Sequence, residues 1–181
     1  YGAMETIRNF SGVDIEYFVV FDYDAVSAMV DTLGGVEVEV PFRMEYDDPT
    51  DNPPLHIDLE PGVQTLKGKE ALGFLRWRHN NDYSEQYAEG DVGRVNMQQY
   101  FLKQFVSQAT DLKNLPKSTR LAKTMMDHTF TNLPNVEVFS AAAAAPRVEF
   151  EEMETYTVPG YGTNGSGPAY FIADQEGTER L

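Results

Sequence analysis

Residues 75–101 read LRWRHNNDYSEQYAEGDVGRVNMQQYF, and the rest of the chain is arranged around them. The stretch gathers three arginines (Arg76, Arg78, Arg94), His79, the acids Asp82 and Asp91, and the glutamines Gln98 and Gln99, in a chain whose formal net charge is −15. From Phe74 to Arg78 the residues alternate, which predicts an extended segment with Arg76 and Arg78 on one face and Leu75 and Trp77 on the other. After an irregular polar loop, Gly90-Asp91 predicts a helix entry with Asp91 as N-cap. Met97, Phe101, Leu102 and Phe105 then recur at helical spacing over 92–109. Arg94 and Gln98, four residues apart, share a face of that helix. Two arginines on a strand and a third at a helix N-terminus make a cradle for phosphate, because guanidinium forks bind oxyanions bidentately and helix N-termini attract anions. The competing reading is a structural ion-pair network in which Asp82, Glu85, Glu89 and Asp91 absorb the three arginines.

Upstream, residues 15–21 (IEYFVVF) form a continuous apolar run that predicts a strand buried on both faces. Asp22 or Asp24 caps a following helix whose apolar stripe is Val26, Met29, Val30 and Leu33, and Gly34-Gly35 ends it. Val36, Val38 and Val40 alternate with Glu37 and Glu39, a half-exposed strand closed by Pro41. This β-α-β order predicts an α/β fold. Residues 45–54 (EYDDPTDNPP) read as an acidic, proline-broken loop. Asp47, Asp48 and Asp51 could offer oxygen ligands to a divalent cation, but their spacing matches no calcium-loop pattern, and a solvated loop is the preferred reading. A short strand over 57–59 precedes the Pro61-Gly62 turn, and residues 66–74 form a short helix.

Downstream, residues 117–129 predict a helix with Leu121, Met125 and Met126 inward, its methionines filling core rather than binding metal. His128 has no metal-ligand partner nearby in sequence. Alanine-rich residues 136–145 are helical, 149–158 alternate as a strand, and 169–173 form a last strand. The glycine-rich 159–168 (PGYGTNGSGP) lacks the Lys-Ser/Thr ending of a P-loop and reads as a surface turn.

A chain of 181 residues is expected to form one domain, burying roughly two-thirds of its unfolded surface. The strong negative charge argues against nucleic acid or an anionic membrane as a broad partner, so any anion must bind locally at the arginines. There is no cysteine, hence no disulfide. The sequence carries no signal peptide and no apolar run of spanning length. The first residues already look helical, with Met4, Ile7 and Phe10 on one side.

The segments FLRWRH (74–79), GDVGR (90–94) and QQYFLK (98–103) resemble the arginine-rich core of the LytR-CpsA-Psr family, bacterial enzymes that attach glycopolymers to the cell wall. Residues 13–41 resemble that family's strand-helix-strand segment with its Leu-Gly-Gly-Val turn. Residues 59–79 resemble its Pro-Gly-to-arginine segment, and YTVPGYG (156–162) its late strand end, more loosely. The resemblance implies a mixed central β-sheet sandwiched between helices. It also implies that residues 1–181 are the C-terminal larger part of one catalytic domain, preceded by an upstream half and a membrane-spanning helix that would anchor it at the extracytoplasmic face of the bacterial membrane. The implied reaction is magnesium-assisted transfer of a polyprenyl-pyrophosphate-linked glycopolymer, of teichoic acid, capsule or arabinogalactan type, onto a hydroxyl of peptidoglycan.

Arg76, Arg78, Asp91, Arg94 and Gln98 fall on the family's pyrophosphate-site motif. By that resemblance Arg76 and Arg78 clamp the diphosphate and Arg94 meets the developing charge. Asp91 holds the arginines or takes the acceptor's proton, and Gln98 hydrogen-bonds a phosphate oxygen. His79 alternates away from Arg78 and is left out of this set. The magnesium ligands are expected in the upstream half. Met97 departs from the pattern, which commonly places another arginine there. The alternative of another class is a module that binds polyprenyl phosphate or an anionic glycan without turnover. A phosphatase is disfavoured, because no nucleophilic cysteine and no aspartate or histidine motif is present.

Overall fold

The computed structural model describes residues 2–144, 147, 156–163 and 170–178. They belong to two compact units, one of residues 19–153 and one of residues 1–18 with 154–181. The chain opens in the smaller unit with helix α1 (Gly2–Ser11), on which Ile7 and Phe10 remain about half exposed.

The larger unit begins with β1 (Val19–Phe21) and α2 (Tyr23–Leu33). Asp22 is the N-cap of α2, its carboxylate accepting from the Ala25 amide at 2.7 Å, and Gly34 ends the helix in the left-handed region at φ 97°. Gly35 follows at φ 106°, where a Cβ would lie 2.6 Å from the Thr65 methyl, so the expected two-glycine stop is required on both conformational and steric grounds. β2 (Val36–Val40) buries its three valines and exposes both glutamates, as the alternation predicts.

The strands pair two by two and antiparallel: β2 with β5 (Gly62–Leu66), β3 (Met44–Asp48) with β4 (Leu55–Leu59), and β1 with β6 (Thr129–Thr131). Between them lie α3 (Gly68–Arg76), α4 (Asp91–Thr110), a 3-10 turn (Leu112–Lys117), α5 (Ser118–His128) and α6 (Asn135–Ala144). α4 closes the second edge of β2: Tyr100 accepts the Glu39 amide at 2.9 Å, and Gln108 both accepts from the Glu37 amide and donates to the Glu37 carbonyl at 2.8 Å. The free edge of the ribbon is thereby satisfied by side chains instead of a third strand. The core gathers Val30, Leu33, the β2 valines, Met44, Ile57, Leu66, Phe74, Trp77 and Phe101. In the smaller unit β7 (Gly160–Gly162) pairs with β8 (Phe171–Ala173), followed by α7 (Gln175–Thr178).

The α/β class holds, and four local expectations are corrected. Residues 15–21 do not make a buried strand: only Val19–Phe21 is extended, and Val20 and Phe21 are 53% and 44% exposed. Its ladder is three residues long, and Val20 stands opposite Phe130, which is itself 71% exposed. The acidic 45–54 segment is a loop only in its second half, because Met44 (fully buried) and Tyr46 anchor Met44–Asp48 to β4. Phe74–Arg76 is helical, not extended. The Lys67 amide donates to Glu70 at 2.7 Å and starts α3, and Ala71 and Phe74, three residues apart, hold one helix face in the core through to Arg76. Trp77 then leaves in extended conformation (φ −62°, ψ 141°), so Arg76 and Arg78 still reach one cavity. Finally, Gly90, not Asp91, is the N-cap of α4, its φ of 56° suiting glycine, and Asp91 is the first helical residue.

The expected strand over 149–158 falls largely outside the described residues, as does the second half of the glycine-rich loop. Among the described residues no helix is long and apolar enough to cross a membrane.

Candidate functional site: an arginine-walled cavity

A cavity of about 530 Å³ opens between the start of α2, the end of α3, the β3-β4 ribbon and the first turns of α4. Arg76, Arg78, Arg94 and Gln98 line it, together with His79, Tyr46, Asp48, Asp51 and Tyr23. Four of the five residues singled out from sequence therefore share one cavity, and the fifth, Asp91, binds two of them. Asp91 Oδ1 accepts from Arg94 Nη2 at 2.7 Å and lies 3.6 Å from Arg78 Nε.

Each arginine is held differently. Arg76 ion-pairs with Asp51 through Nη2, and its guanidinium lies 4.5 Å from the centre of the Tyr23 ring, a cation–π contact that leaves the side chain only 18% exposed. Arg78 stands 55% exposed on the cavity wall, with the long Asp91 contact as its ion pair. Arg94 spends Nη2 on Asp91, while its Nε is buried without a hydrogen-bond partner among the described residues. Gln98 donates its amide to the Leu75 carbonyl at 2.9 Å, tying α4 to the end of α3. Its observed bond is thus to the backbone that carries Arg76. Met97, where the family pattern commonly has arginine, packs against the core.

The four acids of the competing ion-pair network behave differently from one another. Asp82 bonds to Ser84 within its own turn, and this hydrogen bonding holds its carboxyl below the usual carboxylate range. Glu89 contacts Asn96 at 3.4 Å, and the Glu85 carbonyl accepts from the Asn80 amide. Of the four, only Asp91 forms an ion pair with the arginines. Sequence reasoning weighed Asp51 only as a cation ligand and missed its ion pair with Arg76, made from the turn between β3 and β4. The signal available was an acidic turn in a chain with few cations to match it.

Behind the arginines sits a support that the sequence did not reveal. Trp77 is 1% exposed and packs edge-on against Tyr87 (4.8 Å between ring centres) and tilted against Phe42 (5.0 Å). Asn80, 4% exposed, joins these rings to the ribbon. Its Oδ1 accepts from Trp77 Nε1 at 3.1 Å and from the Glu45 amide at 2.7 Å, and its Nδ2 donates to the Arg43 carbonyl and to Ser84. Gly93 lets α4 approach, since a Cβ there would meet Tyr87 at 2.6 Å. The Tyr87 hydroxyl is buried without a partner, and burial pushes its pKa up against the opposing charge of Arg94.

His79 enters the cavity after all. Its ring stacks on Tyr83 at 4.3 Å and 15°, meets Tyr46 edge-on at 5.6 Å, and its Nδ1 lies 2.8 Å from the Asn80 carbonyl. The expectation that it alternates away fails because the chain turns at Asn80 instead of continuing as a strand.

For magnesium, the carboxylates that face the cavity from the ribbon are Asp48 and Asp51. Asp51 is taken by Arg76, and Asp48 accepts from the Thr50 hydroxyl and amide, which keeps its carboxyl below the usual range. Among the described residues no three His, Cys, Asp or Glu side chains converge to hold a metal ion. The described residues therefore do not fit a metal cage.

Fold and site together define an α/β domain with an arginine-walled cavity suited to a phosphate-bearing ligand. The sequence matches the LytR_cpsA_psr family model over residues 2–181, and the chain belongs to the LytR-CpsA-Psr family. It is 26% identical over 173 residues to polyisoprenyl-teichoic acid–peptidoglycan teichoic acid transferase TagU of Bacillus licheniformis, covering 96% of this chain and 52% of that protein. It is 25% identical over 184 residues to the transferase of the same description, TagV, of Bacillus subtilis, covering 99% and 44% respectively. The fold is similar to the crystal structure of B. subtilis TagV (TM-score 0.77, 24% identity, 98% of this chain and 65% of that one). It also resembles TagT bound to LIIa-WTA (TM-score 0.70, 20% identity, 98% and 62%). The chain spans about half the length of the curated relatives it matches.

Proposed function

We propose that the protein is a phosphotransferase that moves a polyprenyl-pyrophosphate-linked glycopolymer onto peptidoglycan at the extracytoplasmic face of the bacterial membrane. One observation carries this reading: two arginines, Arg78 and Arg94, share the single carboxylate of Asp91 on the wall of a cavity whose third arginine, Arg76, is held separately by Asp51. A pair of guanidinium groups with one counter-charge keeps an excess positive charge and unspent donors, which is the requirement for binding a diphosphate. The transferase names of TagU and TagV agree with it.

In the proposed reaction a hydroxyl of peptidoglycan attacks the phosphorus that carries the glycopolymer. The new P–O bond forms as the bond to the bridging oxygen breaks, and polyprenyl phosphate leaves with the electron pair. Negative charge builds on the bridging and non-bridging oxygens, so catalysis is mainly positioning and electrostatic neutralisation. Arg78, the most exposed of the three, meets the incoming diphosphate, and Arg94 neutralises the charge that develops. Arg76, fixed by Asp51 and Tyr23, shapes the wall. Asp91 orients Arg94 and Arg78 and accepts the hydroxyl proton. Gln98, on the cavity wall, holds the end of α3 in place through its bond to the Leu75 carbonyl. Magnesium belongs to the proposal as an added component.

The test is release of polyprenyl phosphate from a short polyprenyl-pyrophosphate-linked glycan, with and without magnesium, for the protein and its Arg78→Ala variant. Loss of release in a variant with unchanged circular dichroism is expected. Binding without release by the unaltered protein would replace the transferase with a non-catalytic binding module, and release indifferent to Arg78 would remove the clamp.

A further inference from the structure

From the arginine wall a short ladder of rings runs outward. Tyr46 and His79 line the cavity, His79 follows Arg78 directly, and Tyr83 stacks on His79 with ring centres 4.3 Å apart and planes 15° from parallel. Tyr83 stays 63% exposed despite that contact, so the ladder ends in a broad aromatic surface open to solvent.

Its backbone is as unusual as its exposure. Tyr83 is the one non-glycine residue with positive φ among the described residues, at φ 60°. Side chains with a Cβ rarely adopt that region, and a bulky ring there persists only where its surroundings over-determine it. They do so here. The Tyr83 amide donates to the Asn80 carbonyl at 3.0 Å, and Asp82 Oδ1 accepts from the Ser84 amide at 2.9 Å and the Ser84 hydroxyl at 2.6 Å. Asn80 is itself buried and bonded on both sides. A glycine or asparagine would satisfy the turn more easily, and the tyrosine adds to it an exposed ring stacked on His79.

We infer that Tyr83, backed by His79, is a stacking platform for a pyranose ring of the glycan joined to the diphosphate, and so a specificity-determining residue of the donor site. The inference rests on the diphosphate reading above. A pyranose with mostly equatorial hydroxyls presents axial C–H groups on its faces, and these pack on an aromatic plane while the hydroxyls stay in water. His79, the first ring of the ladder, follows Arg78 in the chain and lines the same cavity, and Tyr83 stacked on it carries the aromatic surface on from the cavity lining.

The experiment compares equilibrium binding of two probes by calorimetry: geranyl diphosphate, and geranyl diphosphate carrying glucose on its terminal phosphate. Tyr83→Asn keeps a residue suited to positive φ and removes the ring, and Tyr83→Phe keeps the ring and removes the hydroxyl. Tyr83→Asn is expected to weaken the glucose-bearing probe by about three- to tenfold and leave geranyl diphosphate unchanged, with Tyr83→Phe close to the unaltered protein. Equal weakening of both probes, or of neither, would overturn the platform. Binding of neither probe by the unaltered protein would overturn the diphosphate reading itself and the platform with it.

Discussion

Arg43 and the arginines of the cavity differ in how many carboxylates each guanidinium has to itself. Arg43 is met by Asp58 at 2.5 Å, Glu45 at 3.5 Å and Glu60 at 3.7 Å. The hydrogen bond that Arg43 donates to Asp58, ahead of the neighbouring charges, raises its pKa. For Arg78 and Arg94 the ratio is reversed, with one Asp91 serving both. A guanidinium surrounded by three acids has no net charge left for a ligand and serves the ribbon. Two that share one acid retain an attraction for anions. It is the number of counter-charges around each guanidinium that separates structure from site.

The sharpest way to break this comparison is to remove one arginine from each side of it. Arg94→Ala is expected to lower polyprenyl phosphate release on the order of a thousandfold, the scale of arginine contributions to phosphoryl transfer. Arg43→Ala should leave release within about threefold, since Arg43 stabilises only the ribbon. Comparable losses in the two variants would show that the arginines do not divide as argued.

Asn80 sharpens the comparison from the opposite direction because it serves both sides, donating to the Arg43 carbonyl and accepting from Trp77 between Arg76 and Arg78. In Asn80→Ala the buried Trp77 indole N–H and the part-buried Glu45 amide lose their acceptor, at a cost of about 2–4 kcal/mol for the two. Urea denaturation should show that loss. Any residual release should weaken with it, because the segment that carries Arg78 loses its anchor. A variant as stable as the unaltered protein would mean that water replaces the amide.

Much of this architecture was legible in the sequence, for identifiable reasons. The β2 alternation and the Asp22 cap with its Gly34-Gly35 stop are local signals, and no tertiary contact overrides them. The gathering of Arg76, Arg78, Arg94 and Gln98 was legible too, although through a wrong intermediate: the alternation 74–78 suggested a strand, and the chain is helical to Arg76. The conclusion survived because the extended Trp77 restores the same side-chain alternation over the last three residues. The Asp51 partner, the Asn80 hub and the Tyr83 turn were illegible because each depends on residues distant in sequence or on a φ that no composition announces. The 15–21 run misled because apolar content reports what a strand can bury, while burial depends on what packs against it.

A smaller salt-dependent difference separates Arg43 from Arg78 in stability. Arg43→Ala leaves Asp58, Glu45 and Glu60 facing one another and should lower the urea midpoint by a few tenths of molar at low salt, a shift that about 1 M NaCl largely removes by screening. Arg78→Ala should leave the midpoint unchanged or raise it slightly, since the pair it breaks is long and exposed.

The smallest effect is the pH response of the ribbon, and its sign follows from the same acids. His56 on β4 lies 2.5 Å from Asp47 on β3, and that hydrogen bond, followed by the charges of Asp47, Asp58 and Glu45, raises the imidazole pKa above its ordinary 6.5. A group whose folded pKa exceeds its unfolded value contributes its stabilisation fully below the unfolded value and loses it as pH rises through the folded one. The ribbon should therefore be slightly more stable at pH 5.5 than at pH 8.5, and the difference should shrink in His56→Gln, which cannot acquire the charge. It should also shrink in Asp47→Asn, which removes the first cause of the shift while the backbone pairing of β3 and β4 remains. Thermal melts of the three proteins across that range read the effect directly. A pH response in the opposite sense, or one that persists in both variants, would place the titrating group outside the acidic cluster and remove pH sensitivity from the features that distinguish the ribbon from the cavity.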